Sequence, residues 1–70
     1  MSAATKRVFE VKGRIAKIAS APGIKVSRIA VNRHDWAILL KDTDAAASAP
    51  HPIMLLEDKG YMGDIEVYPV

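Results

Sequence analysis

The residues Asn32-Arg33-His34-Asp35-Trp36 put a cap former, three ionisable side chains and the only tryptophan of the chain into five positions. Histidine beside aspartate suits acid–base chemistry or a metal, but only when both side chains converge on one atom. On a helix, neighbouring positions splay about 100° apart, so His34 and Asp35 do not converge. The other histidine, His51, stands between two prolines, and its spacing from His34 matches no known ligand pattern. Ser20, Ser27 and Ser48 read as turn, strand and linker residues with no nucleophile context. Gly60-Tyr61-Met62-Gly63 carries two glycines but precedes no helix, so it is not a phosphate loop. The sequence therefore designates no catalytic residue, no cofactor-binding residue, no metal ligand and no small-molecule substrate. It points away from an enzyme.

The same five residues have a structural use. Asn32 suits a helix N-cap, and Asp35 three positions later favours the positive helix end. A helix over 33–41 follows, roughly 14 Å long, with Trp36, Leu39 and Leu40 on one side and Lys41 in the last turn. Ile38 points nearly opposite Trp36, beside His34 and Lys41. Either this helix is covered on both sides, or Ile38, His34 and Lys41 form a contact with a partner protein. The expectation is a homodimer contact.

Seventy residues make a single small domain, 1–70. A chain this short buries only about 60% of its unfolded surface, which leaves marginal stability. There is no cysteine to provide a disulfide or thiolate–metal staple, so self-association is the common remedy. Residues 1–6 read as a flexible N-terminus. Between Val8 and Ile18 charges recur every two or three positions, which excludes a signal-peptide core and a membrane span. The expectation is a soluble, cytoplasmic protein. Its net charge is +2, yet residues 1–35 carry +6 and residues 36–70 carry −4. That polarity suits a basic patch for nucleic acid, complementary faces that meet in self-association, or plain solvated surfaces.

The elements that must position these residues read as follows. Phe9 to Ile15 alternates strictly, which favours a strand, although Val8, Val11, Ile15 and Ile18 also recur at helical steps. The β-branched composition and Gly13 favour the strand. Pro22-Gly23 suits a type II turn, followed by a second strand from Ile24 to Val31 with a bulge near Ser27-Arg28. Thr43 to Pro52 reads as a flexible Ala/Pro-rich loop, 43–52. Ile53-Met54-Leu55-Leu56 and Asp64 to Tyr68 then form a C-terminal hairpin with a six-residue connection near Asp58–Gly63. The expected fold is α+β, in the order β-β-α-β-β, a mainly antiparallel sheet with one short helix on one face. Its expected core is Trp36, Leu39, Leu40, Ile15, Val31, Leu55, Ile65 and Val67.

Two stretches resemble known families. Ile29-Ala30-Val31, then Asn32, Asp35 and Trp36, then Ile38 to Asp42, resemble a segment of the major capsid proteins of tailed bacteriophages. Those carry an aliphatic strand and Asn-Pro-x-Asp-Trp opening an apolar helix. Tyr61-Met62-Gly63 with Val67-Tyr68-Pro69 resembles that family's returning segment. Here Arg33 replaces the usual proline, Gly63-Asp64-Ile65-Glu66 lacks the proline expected soon after the glycine, and the likeness covers about 40 residues. The resemblance implies a small structural, assembly-type protein of phage or prophage origin, and it transfers no catalytic residue. Separately, Ile15-Ala16-Lys17-Ile18-Ala19 and Val26-Ser27-Arg28-Ile29 resemble the two helices of repressor-type helix-turn-helix proteins. That resemblance implies nucleic-acid binding, with Lys25, Ser27 and Arg28 at the major groove and Lys6, Arg7, Lys17 and Arg33 on phosphates. The leading expectation is a non-enzymatic, self-associating interaction module, with nucleic-acid binding as the alternative.

Overall fold

The computed structural model describes residues 1–70. Helix α1 (Ala3–Ala19) is followed by strand β1 (Arg28–Val31), helix α2 (Arg33–Lys41), helix α3 (Thr43–Ala47), and strands β2 (Met54–Leu55), β3 (Gly60–Met62) and β4 (Ile65–Pro69). The sheet order is β1-β4-β3-β2. β1 lies parallel to β4, and the other two pairs are antiparallel. The molecule is therefore α+β, but not the antiparallel β-β-α-β-β arrangement expected from the sequence. Its first element is a long helix, its sheet is mixed, and three helices lie against it.

Residues 9–15, expected as a strand, belong to α1 because the helical stripe wins over the alternation. Val8, Val11 and Ile15 are all buried on one side of α1. Gly13 faces outward, with nothing within 4 Å of where its side chain would be. It costs the helix only about 1 kcal/mol relative to alanine, too little to overturn that burial. Ser2, expected within a free N-terminus, caps the helix: its hydroxyl accepts the Thr5 N–H at 3.1 Å. Ala3 to Lys6 accordingly form the first turn of α1.

The second expected strand, Ile24 to Val31, survives only as Arg28–Val31. Ile29 and Val31 face the helices and are buried, whereas Ile24 is 63% exposed. No bulge is required, because the conflicting pair Ile24 and Val26 lies outside the sheet. The expected 33–41 helix is α2, capped by Asn32, whose Oδ1 accepts the Asp35 N–H at 2.8 Å. Trp36 and Leu39 are buried as expected, but Leu40 is 48% exposed. The six-residue hairpin connection near Asp58–Gly63 is instead the strand β3, closed onto β4 by a tight turn with Gly63 at φ 61°.

The segment 43–52, expected as a flexible loop, starts as α3 and buries Ala45 and Ala46. Its small side chains let the backbone come close to α1, where Lys12 meets it. The Lys12 ammonium donates to the carbonyls of Ala45 at 2.6 Å, Ser48 at 2.7 Å and Ala46 at 3.4 Å, and lies 4.2 Å from the Phe9 ring centre. A lysine this buried is tolerated because all three of its hydrogens have acceptors, among them carbonyls at the C-terminal end of a helix. Burial pushes its pKa down from the ordinary lysine value.

Two predictions follow from this packing. Lys12→Met removes the donor to the Ser48 carbonyl, while the Ala45 and Ala46 carbonyls keep the N–H groups of Ser48 and Ile53, and it lowers unfolding free energy by about 1–3 kcal/mol in chemical denaturation. The pH dependence has a definite sign. With the folded pKa below the unfolded one, the unfolded chain binds more protons between the two values. Wild-type stability relative to Lys12→Met therefore rises with pH through that window, up to about 10.5. In the sheet, a Cβ on buried Gly60 would lie 2.9 Å from the Met54 carbonyl oxygen and 3.2 Å from side-chain atoms of Ile53 and Leu55. Gly60→Ala is expected to cost on the order of 1–3 kcal/mol and to lower the thermal midpoint.

Candidate functional site

Helices cover one face of the sheet. The register places Ile29, Val31, Ile65, Val67, Gly60 and Met62 on that face. The opposite face carries Arg28, Ala30, Tyr61, Glu66 and Tyr68. There the Arg28 guanidinium bonds Glu66 Oε2 from Nε at 3.3 Å and from Nη2 at 3.2 Å, and it stacks 4.3 Å from the Tyr68 ring centre. Lys59 lies 5.7 Å from the Tyr61 ring centre.

The edge of the sheet is the feature with the clearest capacity to act. β4 donates from Glu66 N to Ser27 O at 3.1 Å and from Val70 N to Val31 O at 3.0 Å. In this parallel register the odd-numbered residues of β1 direct their backbone groups at β4. Arg28 and Ala30 consequently turn their N–H and C=O away from the sheet, and both residues are exposed. No proline, lysine or bulge interrupts residues 28–31. Beside the edge, a shallow cavity of about 220 Å³ is lined chiefly by Val11, Ile15, Ile18, Ile29 and Val31, with Arg14 and Asp35 at its rim. Arg14 Nη2 and Asp35 Oδ2 are 2.9 Å apart, so the rim is charge-paired. Ile18 is 53% exposed.

The three residues expected to contact a partner come together. His34, Ile38 and Lys41 line a groove of about 290 Å³ between α1 and α2, with Ala3, Ala4 and Arg7 opposite. An adjoining cavity of about 320 Å³ shares Arg7, His34 and Ile38 and adds Glu10, Val11, Arg14 and Asp35. Ile38 is half-buried and packs against the core. On the side of α2 facing away from Trp36, α1 of the same chain half-buries Ile38 and leaves His34 and Lys41 exposed along the groove.

The seven residues expected to meet nucleic acid do not come together in the manner of a helix-turn-helix. The first helix of that motif exists within α1, but Ser27 immediately precedes β1 and Arg28 begins it, so no recognition helix forms. Lys6, Arg7 and Lys17 are exposed on α1, Lys25 lies in the irregular segment before β1, and Arg33 opens α2. His34 and His51 lie on separate elements, and no three His, Asp or Glu side chains gather as a metal site. No helix is long and apolar enough to cross a membrane.

Two polar constellations escaped sequence reasoning. One is Lys12, whose signal is a lysine inside an otherwise apolar helical stripe. The other joins the start of α1 to the α2–α3 junction. Ser2 Oγ donates to Thr5 Oγ1 at 2.9 Å, Thr5 Oγ1 donates to Asp42 Oδ2 at 2.7 Å, and Asp42 Oδ1 accepts the Ala45 N–H at 3.1 Å. The Thr5 hydroxyl and then the Ala45 amide hold the Asp42 carboxyl below its ordinary pKa, against a smaller opposing effect of burial. A contact spanning 37 positions leaves no local trace in a sequence.

Comparison with protein-family models, curated proteins and solved structures finds no match to this chain.

The Asp42 bonds predict an acid-sensitive limb. With the folded pKa depressed, this stabilisation is present above the unfolded carboxylate pKa and is lost as pH falls through the folded one. Asp42→Asn is expected to flatten that part of the acid denaturation profile, measured by tryptophan fluorescence of Trp36.

Proposed function

We propose that this protein is a non-enzymatic structural or interaction module that works by self-association. The observation that carries this reading is the open β1 edge. An exposed row of unpaired backbone donors and acceptors is a template for another strand, and proteins ordinarily blunt such edges with charge, proline, bulges or a covering element. Here Arg28–Val31 has none of these on its outward side apart from Arg28, whose charge is taken up by Glu66. The flanking cavity supplies apolar surface for the added chain's side chains, which matches the way strand addition combines backbone bonds with alternate side-chain pockets. A small core with no covalent staple also gains from burying Ile18 in an assembly. The resemblance of Asn32, Asp35 and Trp36 to the capsid proteins of tailed phages, whose work is assembly, points the same way.

The alternative is nucleic-acid binding through the outer side of α1, where Lys6, Arg7 and Lys17 are exposed. It rests on charge alone. The electrophoretic mobility of duplex DNA with this protein at low and high salt distinguishes it, since phosphate neutralisation makes affinity fall steeply with salt.

Ala30→Pro tests the leading reading. The Ala30 N–H points away from β4, so proline there removes no ladder bond within the chain but removes a donor from the free edge. Sedimentation velocity is expected to show an associating wild type and a monomeric Ala30→Pro with an unchanged circular dichroism spectrum. A wild type that stays monomeric at high concentration, or a folded Ala30→Pro that associates as well as wild type, refutes the edge as the working surface.

A further inference from the structure

We infer that the partner at this edge is a second copy of the same strand, running antiparallel, with the two-fold axis passing through Ala30. This deepens the self-association reading and rests on it.

The first support is the spacing of the free backbone groups. They belong to even-numbered residues, and an antiparallel register centred on Ala30 pairs 30 with 30 and 28 with 32 of the other copy. Ala30 N–H then meets the Ala30 carbonyl across the axis in both directions. The Asn32 N–H of each copy meets the Arg28 carbonyl of the other. The Asn32 carbonyl is already taken by Trp36 N at 2.9 Å. Four hydrogen bonds form without disturbing any that the monomer makes. A register shifted by one residue would set free groups against groups already bonded to β4.

The second support is what the symmetry brings together. In a two-fold contact each patch meets its own image, so a surface must be self-complementary in shape and charge. The residue on the axis, Ala30, is small and exposed, which permits close approach of the two strands. On the helical side the apolar rim of one copy, Ile18 above Ile29, meets the same rim of the other. The charged groups at that rim, Arg14 and Asp35, are of opposite sign and already paired, so their images add no net repulsion. The two Arg28 residues lie about 14 Å apart in this register, and each is neutralised by its own Glu66.

Size decides that α1 takes part. A standard interface takes about 800 Å² from each partner, about one sixth of this chain's 4672 Å². A four-residue strand edge cannot supply that alone. The α1 side of the cavity lies beside it and supplies more. The result is a continuous eight-stranded sheet with both sets of helices on one side.

The absence of native cysteine makes the register directly readable. Ala30→Cys places two thiols on residues whose Cα atoms are about 5.5 Å apart in a hydrogen-bonded antiparallel pair, within disulfide range. Under mild oxidation Ala30→Cys is expected to run mostly as a covalent dimer on non-reducing gels. Arg28→Cys, across about 14 Å, stays at the background level of a denatured control. Circular dichroism establishes that both variants are folded. If either is not, the wild-type dimer is examined instead by filtered nuclear Overhauser spectroscopy on mixed-labelled protein, where an Ala30–Ala30 contact between copies is expected. A wild-type dimer with no Ala30 cross-link or contact, or with Arg28→Cys linking as efficiently as Ala30→Cys, overturns this register and leaves the edge reading intact. A wild type that is monomeric, or that associates only with another protein or with nucleic acid, overturns both.

Discussion

The ammonium group of Lys12 is the interaction around which the rest of the molecule is arranged. It stands in the apolar stripe of the long first helix and donates into the carbonyls that close the short third helix. A five-residue helix has almost no intrinsic stability, and its alanines offer little area to bury. What holds it is a cation at its C-terminal end, together with the Asp42 carboxylate at its N-terminal end. With both ends fixed, the chain leaves α3 in the direction that lets Ile53 bury fully and its N–H reach the Ala46 carbonyl at 2.7 Å. The strands β2, β3 and β4 follow from that exit. Burying a charge is costly unless every donor is satisfied, and this one is.

This anchoring governs the candidate surface as well. α1 packs on α2, α3 and the inner face of β1, and it leaves the outer edge of that strand uncovered. The strand ends up at the edge, joined to β4 on one side and open on the other. The groove beside it exists because α1 crosses close to β1 without covering its outer rim. The same helix thus makes the fold possible and leaves the edge exposed. The self-association proposed for this edge needs both: a monomer rigid enough to present a strand, and a strand left unpaired.

Much of the central and C-terminal segments was legible in the sequence, and much of the N-terminal half was not. Asn32 with Asp35 marks a helix start whatever surrounds it, because cap and first turn lie within four residues. Ile65 and Val67 alternate with polar neighbours and lie on the helix-facing side of β4, as that pattern requires. Phe9 to Ile15, by contrast, satisfies two periods at once, and the deciding fact is that Val8, Val11 and Ile15 find α2, α3 and the sheet to pack against. Leu40 belongs to the apolar side of α2 by angle, yet it lies beyond the reach of the core. His34, Ile38 and Lys41 line one groove beside α1, where Ile38 is half-buried and the two polar residues stay exposed.

The amino-acid order by itself determined the capped helix at 33–41, the strand character of the last half of 24–31 and of most of 64–68, the lack of any stapling chemistry, and the division of charge between the two halves. Each of these depends on residues within a turn or two of one another. The tertiary structure alone decided that residues 3–19 coil, that Thr43–Ala47 is helical and not loop, that β1 joins β4 in parallel, and that its outer side stays free. Those outcomes rest on contacts such as Lys12 to Ala45 and Thr5 to Asp42, between groups more than thirty positions apart. Their free energy exists only once the intervening chain has folded back, so no local pattern could encode it.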